Sequence, residues 1–180
     1  MKIKSTKLEG VFIIDNFNAS DERGSFIKTF NSNTFKEYGL DFEIRESYYS
    51  VSKKNVIRGM HFQKPPHDHQ KIVICNAGSI IDVVMDIRHN SSTYGKCLAI
   101  NLKADENQAI YIPKGFAHGF LSLEDNTSVI YFVTTEYNKY SDSGILWNSI
   151  NFDWEIDNPI ISSRDSSHIE FINYKSDFKI

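Results

Sequence analysis

The sequence predicts an all-β domain, a sandwich or barrel of about ten short strands, and three observations carry that prediction. Short apolar runs bounded by turn residues recur at a spacing of roughly 8–12 residues. Aromatics are plentiful, thirteen Phe and nine Tyr, which suits strands closing over a sizeable core. The pattern alternates strand with turn rather than strand with helix, which argues against βαβ units. A length of 180 residues fits one domain covering 1–180, and no linker, repeat or low-complexity segment divides it. The net charge of −3 gives no support to a nucleic-acid or membrane-surface role.

Taken in order, LEGVFIIDNF reads as a strand ended by the polar cluster NASDERG, and SFIKTF as a second short strand. NSNTFKEYGL has an Asn/Ser capping start, Phe35 and Tyr38 three apart and a closing Gly39, and is the one helix candidate. FEIRESYYSVS and VIRGMHFQ follow as strands. After a Pro-Pro turn, KIVICNAGSIIDVVMDIR reads as two apolar runs hinged like a hairpin at Ala77-Gly78. CLAINL, AIYIP, FAHGFLSL and SVIYFVTTEY complete the strands. The segment after Asn138 is irregular but holds both tryptophans, so it is expected to pack on the strands. INYKSDFKI reads equally as a docked strand or a loose end. Cys75 and Cys97 lie in apolar runs and read as buried free thiols of a reducing compartment. The first residues lack an apolar leader and no run approaches a membrane span, so a soluble, cytoplasmic protein is expected.

The chemistry concentrates in VIRGMHFQKPPHDHQKIVI, where Arg58, His61 and Lys71 stand on strands that a core would fill with aliphatics. Two more clusters are Asp82, Asp86 and Arg88, and His118 with Tyr131. Inward-facing groups of a small barrel converge on its interior. His61 suits a general base, because its ordinary pKa lies near working pH. Lys71 or Arg58 suits an oxyanion, and Tyr131 a proton donor. Taken singly, Tyr131 and His118 read as core residues; taken together with His61 and Lys71, they read as a site. A metal is the rival reading, with His61, His67, His69 and His118 as scattered ligands. Ile72, Val73 and Ile74 stand where that pattern needs a Glu, and the Lys71 charge would oppose a cation, so no metal is expected.

These motifs resemble the dTDP-4-dehydrorhamnose 3,5-epimerases over nearly the whole chain. DERGSF, ending in Phe26, is similar to the family's D-x-RG-x-F, and VIRGMHFQKPPH to its RG-hydrophobic-H-aromatic-Q-x-PP-H. GSIIDVVMDIRHNSSTYG, IPKGFAHGF, YFVTTEY, GILWN and SSRD follow in the family's order. The resemblance implies a cupin-type jelly-roll β-barrel with a few short helices, no cofactor, and proton abstraction beside the ketone of a nucleotide-linked 4-keto-6-deoxy sugar. It implies His61 as the base at C3 and then C5, and Lys71 as the cation beside the enolate. Tyr131 becomes the acid on the opposite face, and Asp165 the carboxylate paired with His61. Arg23 and Arg58 would hold the diphosphate, Tyr137 would stack near the nucleotide, and Phe26, His118 and Asp82 would line the pocket. A homodimer is implied, its N-terminal strand crossing to the neighbour.

Three positions depart from the family pattern. Lys28 stands where a Glu is usual, and Glu46 and Tyr48 stand in place of Q-x-N. Because base-reading hydrogen bonds discriminate strongly, these changes predict a non-thymidine nucleotide, GDP in first place, on a 4-keto heptose or deoxyhexose for surface polysaccharide. The alternative is that dTDP still binds. Further from the pattern stand a 3,4-ketoisomerase, a non-catalytic cupin and a metal-dependent oxygenase.

Overall fold

The computed structural model describes residues 1–179. The strands are β1 (Lys2–Ser5), β2 (Phe12–Asp15), β3 (Phe17–Asp21), β4 (Gly24–Lys28), β5 (Glu46–Ser52), β6 (Ile57–Gln63), β7 (Lys71–Ala77), β8 (Ser79–Asp86), β9 (Cys97–Lys103), β10 (Gln108–Ile112), β11 (Phe116–Ser122), β12 (Thr127–Val133) and β13 (Asp142–Gly144). Two short helices join them, α1 (Ser32–Glu37) and α2 (Ser163–Ser166). A six-stranded sheet in the order β1-β2-β10-β7-β12-β5 faces a five-stranded sheet in the order β13-β6-β11-β8-β9, and β3-β4 form a separate hairpin. This is a jelly-roll sandwich, mostly β as expected, but the two sheets are not hydrogen-bonded into one closed barrel.

The hairpin expected at Ala77-Gly78 is not one. β7 and β8 belong to opposite sheets, and Gly78, at φ 73°, turns the corner between them. Its missing side chain matters, because a Cβ there would lie 2.5 Å from the Thr127 hydroxyl. Periodicity shows where an apolar run breaks but not which sheet receives the next one. The polar stretch NASD is likewise strand β3 rather than a terminator: it pairs with β4 and is exposed throughout, so it has no apolar face to betray it. β1, unassigned from sequence, pairs with β2.

The helix expected around Phe35 forms. The Asn31 side chain caps it by accepting the Thr34 N–H at 3.0 Å, and Phe35 is fully buried. It packs with Phe42 on the outer face of the six-stranded sheet, against Ile72, Ile74 and Tyr111. The irregular tail covers the outer face of the other sheet, where Ile145, Ile150, Trp154, Tyr174 and Phe178 pack on Ile57, Met60, Phe62, Val83 and Met85. Up to Lys179, which bridges to His89, the last segment is therefore docked; Ile180 lies outside the described residues. Cys75 and Cys97 are free. No helix among the described residues is long and apolar enough to cross a membrane.

Between the sheets, Val73, Cys75, Ile80, Val84, Ile110, Phe116, Phe120 and Val129 close an apolar core. These inward positions fix which face of each strand the site occupies. On β7 the inward positions are odd, so Lys71 follows Val73 and Cys75 inward; on β12 they are odd too, which points Tyr131 in with Val129.

Candidate active site

Strict alternation would put Arg58 and His61, three residues apart, on opposite faces of β6. Both nevertheless face inward. His61 pairs with His118 and Arg58 with Phe120, so three steps on β6 match two on β11, which is a β-bulge. Ile57, Met60 and Phe62 meanwhile stay in the outer cluster. Glycines permit the bulge: a Cβ on Gly59 would lie 2.6 Å from the Gly119 Cα, and one on Gly119 would lie 2.8 Å from the Arg58 carbonyl oxygen.

Part of the inward polar set lines a cavity of about 390 Å³. His61 and Lys71 line it, from opposite sheets, and Glu46, Tyr48 and Tyr137 line its outer part. Asp165, 3 % exposed, stands behind His61 and accepts from its Nε2 at 2.8 Å. The other Asp165 oxygen accepts the Gly59 N–H at 3.1 Å, and the Ser162 hydroxyl accepts the Asp165 N–H at 3.1 Å, fixing the turn into α2. Because an ionised carboxylate only accepts, Nε2 carries the His61 proton and Nδ1 keeps the lone pair.

Burial pushes the His61 pKa below the ordinary value, against the pull of Asp165. Burial alone would raise Asp165, but the neighbouring His168 and His61 and the Gly59 N–H outweigh it, holding the carboxyl well below the usual carboxylate range. Lys71 is 5 % exposed, and burial pushes it down to about 8, with Asp82 and Asp142 opposing. Tyr131 is pushed far above an ordinary phenol by burial, so it stays protonated. This set holds a neutral base and a protonated acid at once.

Tyr131 sits one layer behind the cavity wall, its ring stacked on Tyr48 at 4.8 Å and edge-on to His118 at 6.1 Å. His118 Nε2 and Asp82 Oδ2 are 2.7 Å apart in the floor, and the second Asp82 oxygen has no partner among the described residues. Arg58 reaches across to the facing sheet, donating to the Ser52 hydroxyl at 3.0 Å and the Val51 carbonyl at 3.2 Å. Asp86 and Arg88, by contrast, are structural: Asp86 gathers Arg88, Ser91 and Thr93 at 2.6–3.0 Å and ties down the loop after β8.

Three expected residues lie away from the cavity within this chain. Arg23, Phe26 and Lys28 are on the exposed β3-β4 hairpin, where Arg23 pairs with Asp21 at 2.6 Å and Lys28 lies over the Phe17 ring. The guanine reading of Glu46 also loses its footing, because the Glu46 carboxylate accepts the Tyr137 N–H at 2.6 Å and so anchors the mouth. Sequence reasoning missed Asp142 and Arg164, which line the cavity with Arg164 Nη2 2.7 Å from both Asp142 oxygens. Arg164 directly precedes Asp165, and that adjacency was the available signal. The scattered histidines do not form a metal set. His67 bonds Ser141 at 2.9 Å, while His69 sits 3.3 Å from Gln63 and Thr135 and is pushed down to about 3 by burial and then by Lys71 and Lys114.

Comparison with known proteins bears on this arrangement. A family model described as dTDP-4-dehydrorhamnose 3,5-epimerase matches residues 5–173. The dTDP-4-dehydrorhamnose 3,5-epimerase of Shigella flexneri is 38% identical over 96% of this chain and 97% of its own length. That of Escherichia coli K12 is 40% identical over 92% and 91%. The crystal structure of the Legionella pneumophila dTDP-6-deoxy-D-glucose-3,5-epimerase in complex with dTDP-4-keto-L-rhamnose superposes with a TM-score of 0.92 at 29% identity, covering 97% of this chain and 94% of that one. These relatives carry thymidine nucleotides in their names, and none supports the expected GDP preference.

Proposed function

The chain belongs to the dTDP-4-dehydrorhamnose 3,5-epimerase family, making it a nucleotide-sugar epimerase, and from that premise we propose that it inverts C3 and C5 of a dTDP-linked 4-keto-6-deoxyhexose. This replaces the GDP-sugar reading. The observation that carries the proposal is that base and acid stand on opposite sheets. His61 with Asp165 behind it belongs to the β6 side, and Tyr131 and Lys71 to the β12-β7 side. Inversion requires a proton to leave one face of the ring and return to the other, so a sugar lying between the sheets meets both requirements.

In this reading Nδ1 of His61 accepts the proton on C3, which the adjacent C4 ketone acidifies. The Asp165 carboxylate supports the imidazolium that results. Lys71, cationic below about pH 8, balances the charge growing on the ketone oxygen. Tyr131 returns a proton from the far face, the Tyr48 ring moving off it when the sugar enters. The cycle then repeats at C5. Arg164 brings positive charge to the cavity wall, where a diphosphate would lie. Incubating such a substrate in D2O should place one deuterium at C3 and one at C5. A His61→Asn variant should lose both, and retained exchange refutes the base assignment. Calorimetric titration should give tighter binding for dTDP than for GDP or CDP; the reverse order would restore the discarded nucleotide.

The exposed hairpin supports a homodimer. Phe26 is 62 % exposed on it, and Arg23 and Lys28 accompany it. In the dimer the hairpin reaches the partner's cavity and delivers Arg23, Phe26 and Lys28 there. Light scattering should give twice the monomer mass, and an Arg23→Ala chain mixed with a His61→Asn chain should recover activity.

A further inference from the structure

Beyond the proton transfers proposed above, His168 stands beside the His61–Asp165 pair, where its proximity helps to keep Asp165 ionised. Its Nε2 is buried without a hydrogen-bond partner and lies 3.7 Å from Asp165 Oδ1, and its ring meets the His61 ring edge-on at 5.8 Å. Room for that ring exists because residue 144 is glycine; a Cβ there would collide with three of the ring atoms. One ligand atom from each of His61, Asp165 and His168 falls within 4.8 Å of the others. Tetrahedral zinc with bonds of about 2.0–2.2 Å places its ligands about 3.3 Å apart. The separations of 2.8 and 3.7 Å to the shared Asp165 oxygen bracket that value.

We propose that His61, Asp165 and His168 form an inhibitory site for a borderline-soft divalent cation, Zn²⁺ in the first place. Asp165 supplies the negative charge, and its second oxygen stays held by the Gly59 N–H, which keeps the first aimed at the ion. The flanking cations that oppose the ion are Arg164, which is paired with Asp142, and Lys71. The inhibitory effect follows from the tautomer. Neutral His61 has one ring proton, on Nε2 in the Asp165-bonded state. Zinc takes the Nε2 lone pair, the proton moves through solvent to Nδ1, and the nitrogen that should accept the substrate's proton becomes a donor. No redox change and no net proton release accompany the step.

Binding rests on the ligand geometry alone, whereas inhibition rests on the reading of His61 as base, so the two are measured separately. The chelator-treated full chain is titrated with Zn²⁺ against a chromophoric chelator, and deuterium incorporation into a dTDP-4-keto-sugar is followed in parallel. The wild type should bind one Zn²⁺ per chain and lose exchange as the site fills, with EDTA restoring it. His168→Asn should weaken binding by at least roughly tenfold, and whatever exchange it retains in chelator should resist zinc. Gly144→Ala, which leaves His168 chemically intact but displaces its ring, should weaken binding likewise and serves if His168→Asn does not fold. Equal zinc affinity in both variants and wild type overturns the site. One zinc per wild-type chain with exchange undiminished overturns the inhibition. Full exchange in His61→Asn instead overturns the epimerase mechanism and leaves the binding result standing.

Discussion

Lys71 exposes a conflict between stability and turnover that one substitution can measure. Its ammonium is buried between the sheets, and burial lowers its pKa from 10.5 to about 8. That shift corresponds to about 3 kcal/mol of folded-state destabilisation at neutral pH. The sign follows from proton binding. Below about 8 Lys71 is charged in both states and the whole penalty is present. Between about 8 and 10.5 the folded chain releases the proton first, so stability rises with pH until the penalty is gone. Lys71→Met keeps an unbranched chain of similar length and removes the charge. It also strips Asp82, whose Oδ1 already lacks a partner, of its nearby cation. The net expectation is a gain of about 2 kcal/mol at pH 7 together with a fall of about 10²–10³ in kcat from the lost enolate cation. Urea unfolding of both proteins at neutral pH and again near pH 10 reads the first effect. The gap should narrow by about 2 kcal/mol as wild type sheds its penalty. A gap unchanged with pH, or a variant less stable than wild type at pH 7, refutes the account of Lys71 as a buried cation that costs stability.

Other expectations are briefer. Tyr131→Phe should cut product formation by about 10²–10³ while substrate still takes up deuterium with its configuration retained, because His61 then removes and returns the proton on one face; loss of exchange as well would place the first proton transfer at Tyr131. The pH profile of kcat/KM should rise through a group below the ordinary histidine value of 6.5, as His61 becomes neutral, and fall near 8 as Lys71 loses its charge. Lys71→Met should abolish the alkaline limb of its residual activity, and a limb that persists belongs to another group.

Much of the candidate site was readable in the chain because each residue proposed to act in it sits in a short string of its own: RGMH, the lysine opening KIVI, the tyrosine inside SVIYFV, SSRD. Once the core between the sheets is known, Lys71 takes the inward parity of Val73 and Cys75, and Tyr131 that of Val129. Two kinds of information were missing. One was parity: nothing in IRGMHF announces that Gly59 adds a residue to β6, although Arg58 and His61 share a face only because it does. The other was partnership. Glu46 looked like a free base-reading carboxylate, and its engagement by the Tyr137 backbone depends on a loop ninety-one positions away. The hairpin misreading at Gly78 has the same origin. A sheet assignment is a long-range fact, and the local pattern of apolar residues is compatible with either sheet.

The bulge itself yields the sharpest structural test. If Gly59 exists to let β6 and β11 approach, then one methyl there must push them apart, since its nearest contact is the Gly119 Cα at 2.6 Å, a backbone atom that cannot rotate away. Gly59 also has φ 150°, so part of any loss in Gly59→Ala comes from backbone conformation alone. Gly24 separates the two contributions. It has φ 119° with nothing within 4 Å of an added Cβ, so Gly24→Ala reports conformational strain without a clash. Conformational strain should cost Gly24→Ala about 1 kcal/mol, and Gly59→Ala should lose at least about 2 kcal/mol more. Gly59→Ala should also lose turnover out of proportion to its stability, because the Gly59 N–H that holds Asp165 moves with the strand. Equal losses in the two variants would mean that the approach of β6 to β11 is not what the glycine provides, and the shared face of Arg58 and His61 would then need another cause.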